Sequence, residues 1–167
     1  TRTSVKTEAL ADYFRTAPEA DRVWTIALLT GRRPRRAVTS TELRLWAAEA
    51  AGVPDWLFEE SYQAVGDLAE TIAHVLPPAA SPCERGLAEW IEQRLLPLRG
   101  QPPSAQADTQ AGWWRELDTP GRFLLTKLIG GSFRVGVARN LVLRALAEVS
   151  GLDAKLLAQR LMGYTDK

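Results

Sequence analysis

Two loops rich in glycine and arginine contain the residue types that bind phosphate groups. The first, GRRPRR, covers residues 31–36, and the second, GGSFRVG, covers residues 130–136. Exposed glycine N–H groups and the amino end of a following helix favour an anion, and arginine adds charge-assisted hydrogen bonds. The pattern predicts phosphate binding by these residues: Arg32, Arg33, Arg35, Arg36, Gly130, Gly131, Ser132, Arg134, Gly136 and Arg139. The alternative is that the glycines only end helices and the arginines lie in solvated loops.

The two loops lie in segments that resemble each other when the chain is shifted by 99 positions. Residues 24–58 then align with residues 123–157 without a gap, and the identical pairs include Gly31/Gly130, Arg35/Arg134 and Gly52/Gly151. This similarity predicts an internal pseudo-two-fold repeat with two phosphate sites, which suits the two backbones of duplex DNA. Such contacts position a protein without reading the base sequence. The alternative is two similar helix–loop–helix units of separate origin.

The elements that must position these loops are helices, because apolar residues recur at helical spacing and no sustained two-residue alternation occurs. The sequence predicts an all-α fold, a single domain (residues 1–167) of about nine helices. Start signals include Pro18, Thr39 with Glu42 in capping-box spacing, Pro54, and Ser81 with Pro82 and Glu84. Gly66 is expected to interrupt a helical stretch, and residues 97–110 form the longest linker-like segment.

Composition argues against a disordered chain, a disulfide-stabilised domain and a membrane-spanning protein. The chain has 167 residues, of which 46% are hydrophobic and 25% charged, with a net charge of +1, as in a globular domain of average composition. One cysteine, Cys83, cannot form an internal disulfide, and no apolar run approaches a membrane span. We expect a cytoplasmic protein, and the first and last residues suggest a piece of a longer chain.

The stretch KLIGGSFRVGVARNLVLRALAEVSG (residues 127–151) resembles the signature of the N-terminal DNA-binding domain of ATP-dependent DNA ligases. The segment AVGDLAETIAHVL (residues 64–76) is similar to the Gly-Asp segment of that family, and the first loop resembles that of a bacterial branch. The resemblance implies an all-helical domain that grips duplex DNA around a nick, in DNA replication, repair or recombination. It also implies that the domain helps the full ligase to encircle the duplex.

By this resemblance, Gly131, Arg134 and Gly136 match the phosphate-contacting loop of the family, whereas Ser132 replaces a common Lys or Arg. The catalytic lysine of the family lies in a Lys-x-Asp-Gly motif, which this sequence does not contain. Nucleotidyl transfer, with ATP and a divalent metal such as Mg²⁺, would therefore belong to a separate adenylation domain. The implied partners are nicked duplex DNA and the adenylation and OB-fold domains of the parent enzyme. We expect no cofactor in this fragment and no membrane partner.

Other residues give weaker signals for chemistry. His74 is the only histidine and is interpreted as a helix-face or core residue, and a metal site is not expected from one histidine and one cysteine. The acidic pairs, such as Asp67 with Glu70, are interpreted as solvated faces. Core packing is expected for most of the six tryptophans, with a surface role possible for Trp113 and Trp114.

Three classes of function remain open from the sequence. The first is the ligase DNA-binding module. The second is a helical protein–protein interaction domain of a larger enzyme, which near-neutral charge and amphipathic helices would suit. The third, a stand-alone enzyme, is the least favoured because no catalytic constellation is present.

Overall fold

The computed structural model describes residues 2–79, 84–133 and 139–164. Every regular element in these ranges is helical, which confirms the all-α prediction. The first five helices are α1 (Arg2–Thr16), α2 (Glu19–Leu29), α3 (Ser40–Ala51), α4 (Asp55–Val65) and α5 (Leu68–Val75). A continuous helical run follows as α6 (Leu87–Glu89), a π-helical segment (Trp90–Leu95) and α7 (Leu96–Leu98). The last four are α8 (Pro103–Glu116), α9 (Thr119–Ile129), α10 (Arg139–Ser150) and α11 (Ala154–Tyr164).

The predicted linker at residues 97–110 is wrong for its second half, because α8 begins at Pro103. Proline is well tolerated in the first turn of a helix, where its missing N–H has no intrahelical partner. The inward face of α8 carries Gln106 and Gln110, which are 6% and 0% exposed. The amide of Gln106 donates to the Leu98 carbonyl at 2.9 Å. Polar residues on the buried face removed the apolar period that would have indicated a helix.

The helices reveal a longer repeat than the sequence predicted. Helices α2, α3 and α4 have 11, 12 and 11 residues, and α9, α10 and α11 have the same three lengths in the same order. Helix α1, with 15 residues, precedes the first set directly, and α8, with 14 residues, precedes the second. The copies are therefore α1–α4 and α8–α11, with α5–α7 between them. These matching lengths support a duplication.

The ungapped shift of 99 positions is wrong for α2 and α9, the second helix of each copy. Both helices end with the same three backbone hydrogen bonds, but those of α9 come 100 residues later. They are Thr30 to Ile26, Gly31 to Leu28 and Arg32 to Ala27 in α2, and Gly130 to Thr126, Gly131 to Leu128 and Ser132 to Lys127 in α9. After the loop the shift is 99, since Gly52 and Gly151 end α3 and α10 with φ of 68° in both. The first loop is thus one residue longer.

The helices group into two compact units, which are described separately. The terminal unit comprises Thr1–Arg32 and Arg134–Lys167, and the central unit comprises Arg33–Phe133. Each unit therefore contains the first two helices of one copy and the last two of the other. The chain passes between the units within each of the two loops.

The terminal unit is built around the packing of α1 on α10. Ala11 and Phe14 of α1 pack against Val142 and Ala145 of α10, and all four side chains are at most 1% exposed. The partly buried apolar side chains around this cluster come from α1, α2 and α10, and they are Leu10, Tyr13, Ile26, Leu29, Leu146 and Val149. The apolar faces of the helices thus account for this core.

The central unit packs α5 on α9 and α3 on α8. Its largest fully buried side chains include Trp114, Phe58, Ile72, Ile91 and Ile129. Trp113 is only 7% exposed, so the surface role considered for Trp113 and Trp114 is wrong. Conversely, Trp56 is 67% exposed, so core packing does not hold for this tryptophan. This unit contains most of the predicted phosphate-binding residues.

Candidate nucleic-acid interface

Three arginines of the first loop form an exposed strip, which we call the arginine arm (residues 33–36). The arm lies against the end of α9, because the Ala37 N–H donates to the Ile129 carbonyl at 2.9 Å. Val38, which is only 2% exposed, anchors the segment in the core of the central unit. The structure therefore brings the first loop and the beginning of the second loop together within one unit.

The glycines at the end of α9 make this contact possible. Gly131 has a φ of 68°, a conformation that side chains rarely adopt. A Cβ at this position would lie 3.2 Å from the Arg36 Cβ and 3.5 Å from the Arg36 Cα. A Cβ on Gly130 would lie 3.3 Å from the Leu43 side chain. The bare backbone thus accommodates the arm and α3, and the Gly130 and Gly131 N–H groups, which the sequence predicted to face a phosphate, donate to carbonyls of α9.

The side chains of the arm point to solvent. Arg33, Arg35 and Arg36 are exposed, and none of them forms an ion pair with a carboxylate among the described residues. The carboxylate of Glu42 interacts with Arg36 through its charge. Such unneutralised guanidinium groups attract a polyanion.

The amino end of α3 is not the open anion site that the sequence suggested. The Thr39 hydroxyl accepts the Glu42 N–H at 3.3 Å, and the Glu42 carboxylate accepts the Thr39 N–H at 2.9 Å, which confirms the predicted capping box. The Thr39 hydroxyl also donates to the Glu42 carboxylate, at 2.7 Å. The bonds that the Thr39 N–H and hydroxyl donate to this carboxylate hold the pKa of Glu42 below its ordinary value, although burial opposes them. A carboxylate therefore already occupies this helix end, and phosphate contacts here must come from arginine side chains.

The Gly-Asp segment (residues 64–76) packs beside the end of α9, to which the arginine arm is also bonded. Gly66 ends α4 with a φ of 80°, and the Asp67 carboxylate accepts the Glu70 N–H at 2.9 Å as the N-cap of α5. Asp67 also forms a salt bridge with Lys127 of α9. Burial raises the pKa of Asp67, but the bonds from Lys127 and Glu70 outweigh it and lower the pKa. Asp67 is therefore a structural link between helices, and its interpretation as part of a solvated face is wrong.

A surface cleft of about 310 Å³ lies where the start of α3, the turn between α4 and α5, and the end of α9 meet. Its polar lining consists of Ser40 of α3, Tyr62 of α4, Asp67 in the turn after α4, Thr126 and Lys127 of α9, and Ser132 after the end of α9. Sequence reasoning did not select Tyr62 or Lys127, because neither lies in a loop or an arginine-rich pattern. The contacts that place them join residues far apart in the chain.

The remaining predicted site residues fall in different parts of the structure. Arg32 and Arg139 are exposed residues of the terminal unit, and the Arg32 N–H closes the end of α2. Ser132 is exposed in the central unit. Arg134 and Gly136 lie outside the described residues, so their predicted phosphate contacts stay predictions.

Comparison with known protein families identifies the chain. A family model described as DNA ligase N terminus matches residues 1–147. The chain belongs to this family. Among curated proteins, none has significant sequence similarity to the chain. The match confirms the family that the loop signatures indicated, whereas assignment to a bacterial branch stays a prediction.

Within this ligase domain, the other candidates for chemistry do not assemble into a site. No group of three or more potential metal ligands occurs in the ranges that the structure describes. His74 is exposed on α5, as expected for a helix-face residue. None of the helices in the described ranges has both the length and the apolar character needed to cross a lipid bilayer.

Proposed function

We propose that this domain holds duplex DNA around a nick by contacting phosphates, and so positions the catalytic part of a DNA ligase. The family match supports a role in a DNA ligase. The observation that carries the DNA-binding proposal is the exposed arginine arm, which forms no ion pair within the described part of the chain and lies against the glycine end of α9.

Binding in this proposal does not depend on the base sequence. Guanidinium groups match phosphate oxygens in geometry and charge, and contacts to the backbone carry no sequence information directly. The proposed contacts are Arg33, Arg35 and Arg36 in the central unit, with Arg32 and Arg139 in the terminal unit and Arg134 in the second loop. Ser132 would contribute its hydroxyl and Gly136 its backbone, whereas Gly130 and Gly131 would act by seating the arm, because their N–H groups already donate to carbonyls of α9.

The chemistry of sealing is assigned to the rest of the parent enzyme. We propose that it is ATP-dependent, that it uses a divalent metal such as Mg²⁺, and that its adenylation and OB-fold domains join this domain on DNA. Roles in replication, repair or recombination, a bacterial origin and a cytoplasmic location belong to the same proposal. This domain would supply binding and orientation, and its lack of a Lys-x-Asp-Gly motif fits that division.

The test is a salt titration of binding to a nicked duplex with charge-reversal variants. Released counterions dominate such affinity, so log K should fall with log salt by about 0.9 per phosphate contact. Arg35→Glu and Arg134→Glu should each weaken binding and reduce this slope by roughly 1.

The matched control is Arg99→Glu, which reverses an exposed arginine after α7 and outside both loops. It changes the net charge equally and should change affinity much less. Equal losses in Arg35→Glu and Arg99→Glu, or an affinity that does not change with salt, would contradict the proposal.

A further inference from the structure

A second arginine environment lies in the central unit, away from the loops. Arg122 of α9 is only 3% exposed. Its Nε donates to the Trp114 carbonyl at 2.7 Å, and its Nη1 donates to the Leu76 carbonyl at 3.4 Å. These carbonyls lie at the carboxyl ends of α8 and α5, where the helix dipoles favour a cation.

The positive charge of Arg122 is nevertheless incompletely compensated. No carboxylate forms a salt bridge with it among the described residues, and Asp118 interacts only through its charge. Burial therefore lowers the pKa of Arg122. Buried charges are ordinarily paired, because removing an ion from water is costly.

Part of the guanidinium group remains available for a ligand. Arginine has five N–H donors, and the two bonds to carbonyls use two of them. Nη2 of Arg122 makes no hydrogen bond to the described residues, and it is not among their fully buried side-chain atoms without a partner. This nitrogen therefore keeps some accessible surface, and Arg122 lines a cleft.

This cleft has an apolar wall and two cations. It measures about 250 Å³, and its apolar lining consists of Ala50, Leu76, Pro77, Pro78, Ala111 and Trp114. The second cation is Arg115, which is exposed at the rim and forms no ion pair among the described residues. The lining drawn from residues 2–79, 84–133 and 139–164 contains no acidic side chain.

We propose that this cleft, which we call the Arg122 cleft, binds an acidic peptide segment of a protein partner, with a carboxylate on Arg122 and Arg115. A planar carboxylate matches the fork of a guanidinium group, and apolar residues beside it would pack on Pro77 and Pro78, which are exposed. The apolar wall disfavours a DNA backbone, which binds to open surfaces with several exposed cations. This proposal does not depend on DNA binding by the arginine arm.

The experiment uses the whole 167-residue chain and two matched peptides, Ac-Leu-Asp-Leu-NH₂ and Ac-Leu-Asn-Leu-NH₂. Binding is followed through the backbone amide resonances of Leu76, Ala79 and residues 111–115 and the Trp114 indole resonance. The Asp peptide should shift these resonances, and the Asn peptide should bind about tenfold more weakly because it lacks the charge-assisted bond. Equal binding of both peptides, or no shift with either, would overturn the proposal.

Three variants separate the cleft from the fold and from DNA binding. Arg115→Gln changes an exposed rim residue, and Ala50→Glu places a competing carboxylate at the rim; both should weaken Asp-peptide binding without unfolding the domain. Replacement of the arm arginines, Arg33, Arg35 and Arg36, by glutamine should leave peptide binding unchanged. If duplex DNA shifts the cleft resonances and Arg115→Gln abolishes that shift, the cleft binds phosphate and the proposal is wrong.

Discussion

The arginine arm and the Arg122 cleft place the same side chain in opposite environments within one unit. The arm arginines are exposed and held only through their backbone, whereas the Arg122 side chain is 97% buried and bonded to two helix ends. An exposed guanidinium group contributes little to folding but remains available to a polyanion, and salt screens its effect. A buried one contributes to the fold and presents a single, oriented charge. Burial, more than residue type, separates the two roles.

The largest expected effect is the loss of folding stability when the buried arginine, Arg122, is replaced. Arg122→Ala breaks the hydrogen bonds to the Trp114 and Leu76 carbonyls and leaves both acceptors without this donor. Hydrogen bonds of charged groups contribute about 1.5–3 kcal/mol each, so the free energy of unfolding should fall by about 4 kcal/mol. Urea denaturation followed by circular dichroism measures this loss. The control Arg115→Ala removes an exposed arginine and should change stability by less than about 0.5 kcal/mol; similar losses in both variants would contradict the distinction.

Removal of the arm charges should lower the affinity for DNA and leave the stability of the fold almost unchanged. The triple variant of Arg33, Arg35 and Arg36 to glutamine removes three exposed cations without carboxylate partners. At about 1 kcal/mol per contact, affinity for nicked duplex DNA should fall roughly 100-fold, while stability stays within about 0.5 kcal/mol. Fluorescence anisotropy and urea denaturation measure the two quantities on one preparation. A large loss of stability with unchanged affinity would show that the arm is a structural element.

A smaller effect is expected from a substitution at Gly131, whose backbone lies against the arm. Gly131→Ala forces a side chain into the left-handed region and places its Cβ 3.2 Å from the Arg36 Cβ. We expect a loss of about 1–2 kcal/mol in stability and weaker DNA binding through displacement of the arm. The matched control is Gly112→Ala in α8, where nothing lies within 4 Å of the added Cβ. This change should stabilise the domain by roughly 0.5–1 kcal/mol, and an equal sign for both variants would argue against the packing role of Gly131.

The two regions also differ in how far the sequence predicts them. Predictions that depend on residues close together in the sequence are confirmed. Thr39 and Glu42 form the predicted capping box, and Gly66 interrupts the helical stretch between Pro54 and Leu76. The loops could be selected because arginine and glycine cluster along the chain. The Arg122 cleft could not, because it joins α5, α8 and α9 through contacts between residues as many as 46 positions apart. The sequence did not indicate the start of α8, because Gln106 and Gln110 lie on its buried face and interrupt the apolar period of a helix.

The smallest expected effect concerns Glu42, whose charge interacts with Arg36 of the arm. Hydrogen bonds from Thr39 and the charge of Arg36 lower its pKa in the folded state, against the opposing effect of burial. Because the folded pKa lies below the unfolded value, the stabilisation by the carboxylate is present above the ordinary value of 4.5 and is lost as pH falls through the folded pKa. Glu42→Gln keeps an acceptor for the Thr39 N–H but removes the charge, so it should cost about 0.5 kcal/mol at neutral pH. Urea denaturation at several pH values should show this difference shrinking below pH 4.5, whereas a difference that stays constant through acid pH would mean that the charge of Glu42 contributes nothing.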